Sequence, residues 1–439
     1  MVGLSVNKQF AKYVSQNVLG MIAISIYILA DTFFISKAVG SDGITALNLV
    51  LPIYSLIFAI GMMIGVGSVI RFTIERNQGN KEADKYFTNA LFWGTAISLI
   101  FIILGGIWPE KVLELMGADA DIVLVGTGYT RIFMIFAPFF IWNNICNAFV
   151  RNDNAPTVAM TATIVSSLFN IVADYILMFP LGMGIEGAAL ATAISPVIGV
   201  LVCLVHLLSK KCTIKIKIII PSLKKLLYCC KLGVAAFVGE ISSGVTIIVI
   251  NMLILNLAGN TGVAAYGVVA NISLVVVAVF NGVAQGSQPL ISKFFGLKDI
   301  KNTKKVFKMS IITSFVLEII IIIIIFVLNE TIISIFNSEN DVLMAQYAYT
   351  GIRMYFIGFI FAGINIVSIA ALSSIEEAKL AFITSVMRGF VVIIICAIIM
   401  AYIWGMYGVW LSFCVAEGIT FIAVINALHR TIFKNNRLE

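Results

Sequence analysis

The sequence predicts an all-α integral membrane protein with twelve transmembrane helices, arranged as two six-helix lobes related by a pseudo-two-fold axis along the membrane normal. Three observations predict this fold: an apolar composition, apolar segments that recur along the whole chain, and an internal repeat. The 439 residues are 60% hydrophobic and only 12% charged, with a mean hydropathy of +1.04. A soluble domain carries about twice that charged fraction.

Twelve apolar segments are long enough to cross a bilayer, which takes about 20 helical residues. They read as continuous apolar runs without strand-like alternation, so we predict helices and not the strands of a barrel. No stretch between them is long enough to form a soluble domain. The predicted spans are 13–36, 44–70, 86–107, 122–149, 157–180, 184–208, 232–258, 263–292, 309–329, 344–372, 380–403 and 406–428.

The Lys and Arg residues predict the orientation of these spans. If the N-terminus is cytoplasmic, 24 of the 29 Lys and Arg residues fall in cytoplasmic segments, and only Lys37 and Lys111 fall outside. The first 16 residues lack the small-residue cleavage pattern of a secretory signal, so we expect the first span to stay as an anchor. We therefore predict a multi-pass protein with both termini in the cytoplasm. The excess positive charge, a net charge of +7, lies where the anionic lipids of the cytoplasmic leaflet would be. It therefore gives no reason to expect a nucleic-acid partner.

The chain contains an internal repeat. The segment VGSDGITALNLV, from Val39, matches AGNTGVAAYGVV, from Ala258, at an offset of 219, and GIEGAA, from Gly184, matches GMYGVW, from Gly405, at an offset of 221. We predict an N-lobe at 1–208, a basic cytoplasmic linker at 209–231 and a C-lobe at 232–439. Parallel repeats of this kind are typical of transporters that rock one half against the other, although gene duplication also builds channels and membrane enzymes.

Buried polar residues concentrate in the predicted N-lobe. A carboxylate at the bilayer centre costs about 2.5 to 3.5 kcal/mol, so it normally faces a cavity or a partner. Asp31 lies in the first span, and Asn170 and Asp174 lie four residues apart on one face of the fifth. Thr192 lies near the middle of the sixth span and Tyr129 near the start of the fourth. The fourth span also carries a polar strip made of Asn143, Asn144 and Asn147.

The repeat provides an internal control for this polar cluster. An offset of 221 places Val391, Ile395 and Phe413 opposite Asn170, Asp174 and Thr192, and an offset of 219 places Ile250 opposite Asp31. The scaffold is repeated and the polar cluster is not. We infer that the fold itself does not require the cluster.

Two buried acids in one lobe suit reversible binding of a cation. Two neighbouring carboxylates resist simultaneous ionisation, so the pair can hold a proton, or it can surround a bare cation together with Asn and Thr oxygens. One charge that falls through 100 mV releases about 2.3 kcal/mol, which is enough for roughly a fifty-fold gradient of another solute. These residues therefore predict the coupling site of an antiporter.

The second half carries five charges inside predicted spans: Glu240, Glu318, Arg353, Arg388 and Glu417. For Glu318 and Glu417 we favour a structural role, with Arg388 as the partner of one acid. Glu240 remains open between a structural and a functional role, because it lies beside the small-residue run GEISSG. Pro52, Pro138 and Pro196 fall within N-lobe spans, where each can permit a bend.

Several motifs together resemble the multidrug and toxic compound extrusion (MATE) family, in particular its DinF/MepA-like branch. They cover essentially the whole chain and occur in the family's order: ADTFFIS in the first span, NIVADYILMF in the fifth, GIEGAALATAIS into the sixth, AYGVVANISLVVVAVFNGVAQGSQPLIS in the eighth and GVWLSFCVAE in the twelfth. The resemblance implies a two-lobed, V-shaped fold. It also implies alternating-access export of amphipathic, often cationic compounds in exchange for H+ or Na+.

The resemblance also implies roles for individual residues. Positions that match the family's coupling-cation site are Asp31, Asn170, Asp174, Thr192 and, as a hydrogen-bonding neighbour, Tyr129. Positions that match its substrate cavity are Asn144 and Asn147, with Asn143 beside them, and Glu240, which matches the acid on helix 7 of the NorM branch. That branch also uses an Asp on helix 10, but FAGINIVSIAAL contains no acid, so a complete NorM-type site in the second lobe is not expected.

The resemblance further implies a monomer in a bacterial cell membrane, with drug-like substrates, no metal and no cofactor apart from the coupling H+ or Na+. One alternative is a lipid-linked oligosaccharide or lipid flippase of the same superfamily. Two features argue against a flippase: the sequence has twelve predicted spans and not fourteen, and the predicted cavity carries acids and not a run of arginines. A membrane enzyme is disfavoured because His206 and His429, the two histidines, show no metal-ligand or nucleophile spacing. An ATP-driven pump is disfavoured because no phosphate-binding G-x-x-x-x-G-K-[ST] loop occurs.

Overall fold

A computed structural model describes residues 5–39, 41–217, 219–337 and 341–433, and within these ranges it contains helices and turns but no β-strand. The chain forms two compact units, Met1–Phe237 and Val238–Glu439. The segment predicted as a linker, 209–231, lies within the first unit. The predicted symmetry axis between the halves stays a prediction.

Eight helices precede the boundary region, and a ninth passes through it. They are α1 (Val6–Ala38), α2 (Ser41–Asn77), α3 (Lys85–Ile107), α4 (Pro109–Leu115), α5 (Ala120–Ile135), α6 (Ala137–Asn152), α7 (Pro156–Met178), α8 (Gly184–Leu207) and α9 (Leu223–Gly296). The second unit continues with α10 (Ile300–Val327), α11 (Asn329–Phe336), α12 (Val342–Tyr355), α13 (Phe359–Ser374), α14 (Ala378–Val386) and α15 (Val392–Leu428). A 3-10 turn at Phe356–Gly358 joins α12 to α13, and a π-helical turn at Met387–Val391 joins α14 to α15.

Nine helical segments in the described part of the chain are long and apolar enough to cross a membrane. Two of them are too long for one crossing: α9 has 74 residues, or about 110 Å at 1.5 Å per residue, against a hydrocarbon core of about 30 Å. Gly259 breaks α9 (φ 64°, ψ −159°) and Gly405 breaks α15 (φ 58°, ψ −136°). If Gly259 and Gly405 each divide their helix into two crossings, and if α5 and α6 together form one crossing, the nine segments give twelve crossings. The count of twelve stays a prediction.

Proline marks the bend between α5 and α6, whose axes differ by 44°. Pro138 lies in the first turn of α6, where it has no N–H to continue the hydrogen bonding of α5. Pro52 and Pro196 instead remain inside α2 and α8. Of these three candidate hinge prolines, only Pro138 coincides with a break.

The repeat seen in the sequence recurs in backbone detail. Gly184 and Gly405 both adopt positive φ, 56° and 58°. A Cβ atom at Gly43 would meet the Val39 side chain at 2.6 Å, and one at Gly262 would meet Ala258 at 2.6 Å. Gly184 and Gly405 thus serve the same conformational need, since only glycine adopts the left-handed region at low cost. Gly43 and Gly262 serve the same steric need, because each leaves room for the side chain four residues earlier.

One register inferred from the repeat is wrong. Ile395 and Val391 are 51% and 47% exposed, whereas Asp174 is fully buried, so they do not occupy equivalent faces. Ile393 and Ala397, four residues apart and 4% and 1% exposed, lie on the buried face. The turn between α7 and Gly184 is longer than the corresponding connection before Gly405, and a single offset of 221 does not correct for this. Ile393 and Ala397 are apolar as well, so this buried face in the second half still carries no counterpart of Asn170 and Asp174.

Close backbone packing joins α2 to the beginning of α9 within the first unit. A Cβ atom at Gly67 would overlap the Cys229 carbonyl oxygen and lie 2.7 Å from its carbon, and a Cβ atom at Gly233 would lie 2.8 Å from the Met63 carbonyl carbon. Small residues that let two helix backbones touch are a common device in membrane proteins. This contact fixes the segment that follows the predicted linker against the first unit.

Candidate cation site

The fully buried carboxylate of Asp174 is the centre of the candidate site. Asp174 and Asn170 lie one turn apart on the face of α7 that packs against α1 and α8, and both are 0% exposed. Neither Oδ1 nor Oδ2 of Asp174 accepts a hydrogen bond from a described residue. A buried carboxylate without hydrogen bonds or a counter-charge is costly, so this position needs a proton or a cation.

Asp31 of α1 brings a second acid to the same site. It is 9% exposed, and its Oδ1 also has no hydrogen-bond partner among the described residues. The Asp31 and Asp174 carboxylates are close enough to interact electrostatically, and both act on the buried hydroxyl of Tyr129 on α5. No Lys, Arg or His in the described part of the chain forms an ion pair with either acid.

Asn170 and Thr192 link α7 to α8. The Asn170 amide Nδ2 donates to Thr192 Oγ1 at 3.3 Å, and Asn170 Oδ1 is buried with no partner in the described ranges. With respect to the described residues, four buried oxygens of the site thus accept no hydrogen bond: both of Asp174, Oδ1 of Asp31 and Oδ1 of Asn170. Carboxylate and amide oxygens suit a proton or a hard cation such as Na+.

Two polar contacts beside this site were not predicted from the sequence. Ser166 Oγ and Ser195 Oγ lie 2.9 Å apart and extend the contact of α7 with α8. The hydroxyls of Tyr27 and Tyr54 lie 3.2 Å apart. Ser166 precedes Asn170 by four residues and Tyr27 precedes Asp31 by four, so helical spacing from the predicted residues would have found both.

The three asparagines of α6 point to three different helices. Asn147 Nδ2 donates to Thr163 Oγ1 of α7 at 3.1 Å. Asn144 donates to Phe140 O of its own helix and packs against Gly61 of α2. Asn143 packs against Gly199 of α8, and its Oδ1 has no partner among the described residues. All three are half-buried and lie at helix contacts; their role as one polar strip stays a prediction.

Glu240 belongs to the second unit, on α9, where it is half-buried. The place of Glu240 and the three asparagines in a substrate cavity stays a prediction.

A group with metal-ligand chemistry lies at the end of α6, although the sequence spacing predicts none. Ligand atoms of Asp153, His206 and Cys212 lie within 4.8 Å of one another. Asp153, however, already accepts from Arg76 Nη1 at 3.2 Å and from Thr213 N at 2.9 Å, contacts His206 Nε2 at 2.9 Å and accepts from Thr213 Oγ1. These four contacts use the roughly four acceptor positions of a carboxylate. Burial also raises the pKa of the Cys212 thiol, which disfavours the thiolate that binds metal.

The arrangement around Asp153 is therefore a hydrogen-bond network. It attaches the segment after α8 to the ends of α2 and α6.

Arg388 was predicted to pair with one buried acid of the second half, and in the structure that acid is Glu417. Arg388 Nε lies 2.8 Å from Glu417 Oε1, and Asn365 Nδ2 donates to Glu417 Oε2 at 2.7 Å. Glu417 thus has both a counter-charge and a hydrogen bond, as expected of a structural acid.

A sequence model of the MatE family matches the chain twice, at residues 18–176 and 236–403. The chain is 28% identical over 417 residues to the multidrug export protein MepA of Staphylococcus saprophyticus, which covers 93% of this chain and 90% of the relative. MepA of Staphylococcus aureus is 27% identical with the same coverage.

Solved structures give the same fold. The outward-facing conformation of a multidrug resistance MATE family transporter of the MOP superfamily superposes with a TM-score of 0.92 at 21% identity, covering 98% of this chain and 96% of the other. A MATE protein in its bent conformation gives 0.87 at 21% identity, covering 97% and 95%. The family model covers more than half of the sequence and both halves of the repeat. The chain therefore belongs to the MatE family, a family of multi-pass membrane transporters and not of enzymes.

Proposed function

We propose that the protein is a secondary active multidrug exporter, which expels amphipathic, often cationic organic compounds in exchange for H+ or Na+ by alternating access. Its relatives named multidrug export protein MepA support the substrate class. The proposal places a monomer in the bacterial cell membrane, with both termini in the cytoplasm.

The observation that carries the proposal is the buried, unpaired carboxylate of Asp174. Among the described residues, no group donates a hydrogen bond to its oxygens and no basic side chain pairs with it. An ionised carboxylate is therefore costly here, and the site favours a loaded state with H+ or Na+. Because Asp31 lies close by, a fully ionised pair is disfavoured further by repulsion. Arrival and departure of the cation therefore change the electrostatic energy of the first unit, which is the requirement for coupling to a conformational change.

Other residues have supporting roles in this proposal. Asn170, held by Thr192, offers its Oδ1 to the cation, and the buried Tyr129 hydroxyl, on which both acids act electrostatically, is their polar neighbour. Asn143, Asn144, Asn147 and Glu240 contact the organic substrate. No cofactor apart from the coupling ion takes part.

Transport of a fluorescent cationic dye in proteoliposomes tests the proposal. A pH gradient and a Na+ gradient are imposed in separate experiments, which distinguishes the two ions. We expect one gradient or both to drive dye transport by the wild type, and Asp174→Asn to abolish it. Asp121→Asn, an exposed acid in the first turn of α5, is the matched control and should transport normally. Stimulation by neither gradient would count against antiport.

The same liposomes test the flippase alternative. Scrambling of a fluorescent lipid by the wild type, without gradient-driven dye transport, would replace the exporter proposal with a flippase.

A further inference from the structure

The helix α9 begins at Leu223, before its predicted span, and its first turns have two distinct faces. Successive residues are rotated by about 100°, which places on one face the buried residues Leu226, Cys229, Leu232 and Gly233. A separate arc of about 140° is exposed and contains Leu223, Lys224, Leu227, Tyr228 and Lys231. We call these five exposed residues the α9 entry face. It combines apolar and basic side chains and contains no acid.

The buried face is attached to the first unit. Cys229 and Gly233 touch the backbone of α2. Just before α9, the N–H of Ser222 donates to Asn89 Oδ1 of α3 at 2.8 Å. These contacts fix the rotation of α9 about its own axis, so the α9 entry face points away from the body of the first unit.

The α9 entry face lies beyond the apolar part of its helix. The predicted span 232–258 measures about 40 Å at about 1.5 Å per residue, which already exceeds a hydrocarbon core of about 30 Å. Residues 223–231 therefore belong at the level of the lipid headgroups. Leu223 and Leu227 are nevertheless 52% and 55% exposed. Exposed apolar side chains beside lysines are typical of helices that lie in a membrane interface.

The chain before α9 adds more positive charge. Residues 209–231 contain seven lysines and no Asp or Glu. Five of these lysines are exposed and form no ion pair with a described residue; they are Lys210, Lys211, Lys215, Lys224 and Lys231. An anionic surface complements this pattern, because lysine can bury its aliphatic stem beside apolar groups while its ammonium group contacts phosphate.

The charge pattern disfavours a second copy of this chain as the partner. A symmetric dimer presents the same surface from both subunits, so lysines would face lysines with no acid of this segment between them. A bilayer has no such repulsion. It is also continuous with the α9 entry face, since α9 runs from this face directly into its predicted span.

We propose that the α9 entry face, together with the lysines that precede it, binds anionic phospholipids of the bilayer. Leu223, Leu227 and Tyr228 insert at the boundary between headgroups and acyl chains. Lys224 and Lys231 bind the phosphate groups. In the orientation predicted from the Lys and Arg residues, these lipids belong to the cytoplasmic leaflet.

Native mass spectrometry of the purified full chain in detergent tests the charge contacts. It measures the affinity for added phosphatidylglycerol and, as the neutral reference, for phosphatidylcholine. Lys224→Gln/Lys231→Gln is compared with Lys301→Gln/Lys305→Gln. The control lysines are exposed in the first turns of α10, where residues 300–309 expose no apolar side chain.

We expect a loss of affinity for phosphatidylglycerol that is confined to the α9 variant. Each lysine near an anionic surface contributes about fivefold, so Lys224→Gln/Lys231→Gln should weaken binding roughly twenty-five-fold. Screening should limit the effect of the control variant to roughly twofold. Binding of phosphatidylcholine should not change in either variant.

Quenching by brominated lipid tests the insertion of the apolar side chains. Leu227→Trp adds one tryptophan to the α9 entry face. Its fluorescence above the wild-type signal is compared in nanodiscs of phosphatidylglycerol with and without bromine on the acyl chains. We expect the brominated lipid to quench this added fluorescence. Because the substituted residues are exposed, all variants should keep the wild-type thermal midpoint.

The proposal is overturned if the two lysine variants bind phosphatidylglycerol equally well, or if the added tryptophan is not quenched. An unquenched tryptophan in a protein that elutes as a dimer would assign the α9 entry face to a second copy instead. Neither readout measures transport, so failure here is separate from the fate of the exporter proposal.

Discussion

Replacing Gly67 with alanine tests how tightly α2 packs on the beginning of α9. The added Cβ atom would lie 2.7 Å from the Cys229 carbonyl carbon, whereas carbon atoms in contact lie about 3.5 to 4.0 Å apart. The two backbones must therefore separate by about 1 Å, since a carbonyl group cannot rotate away as a flexible side chain can. Overpacking of this kind costs about 1 to 3 kcal/mol, which exceeds the gain of up to about 1 kcal/mol from alanine in a helix.

The assay is thermal unfolding of the purified protein in detergent, followed by size-exclusion chromatography of the surviving fraction. Gly67→Ala should lower the midpoint by several degrees. Gly239→Ala is the matched control, because α9 also contains Gly239 and a Cβ atom there has no neighbour within 4 Å. We expect the control to unfold at the wild-type temperature or slightly above it. Equal midpoints for Gly67→Ala and Gly239→Ala would refute the close contact.

The remaining predictions concern two buried charge networks. Glu417→Gln leaves Arg388 without its counter-charge and should destabilise the protein by about 3 to 5 kcal/mol. The double variant Arg388→Met/Glu417→Met leaves no unpaired charge, so its thermal midpoint should lie closer to that of the wild type. A midpoint of the double variant no higher than that of Glu417→Gln would contradict this. Asp153→Asn removes the negative charge beside Arg76 and replaces one of the two acceptor oxygens by an NH2 donor, which should cost about 1 to 3 kcal/mol. A chelator should leave the wild-type midpoint unchanged. A chelator-induced loss of stability would instead indicate a bound metal at Asp153.

Much of the candidate site follows from the sequence, because a membrane interior makes polar residues informative. Asn170 and Thr192 were predicted to belong to one site, and in the structure they form a hydrogen bond. Arg388 was predicted to pair with a buried acid and does so. Charges and amides inside apolar spans have few permitted explanations, and helical spacing then indicates which of them share a face.

Other features were not predictable because they depend on positions in three dimensions. The register of α15 against α7 depends on turn length, so Ile395 was wrongly paired with Asp174. Asp153 and His206 are separated by a whole helix in sequence, and only the packing of α6 on α8 brings them together.

Gradient-driven transport by Asp174→Asn tests the central claim most directly. The measurement compares dye accumulation in proteoliposomes of the wild type, Asp174→Asn and Asp121→Asn under the gradient that drives the wild type, after equal reconstitution and equal thermal stability are shown. We predict that Asp174→Asn loses transport and Asp121→Asn keeps it. Full transport by Asp174→Asn would contradict the assignment of the buried carboxylate as the coupling site.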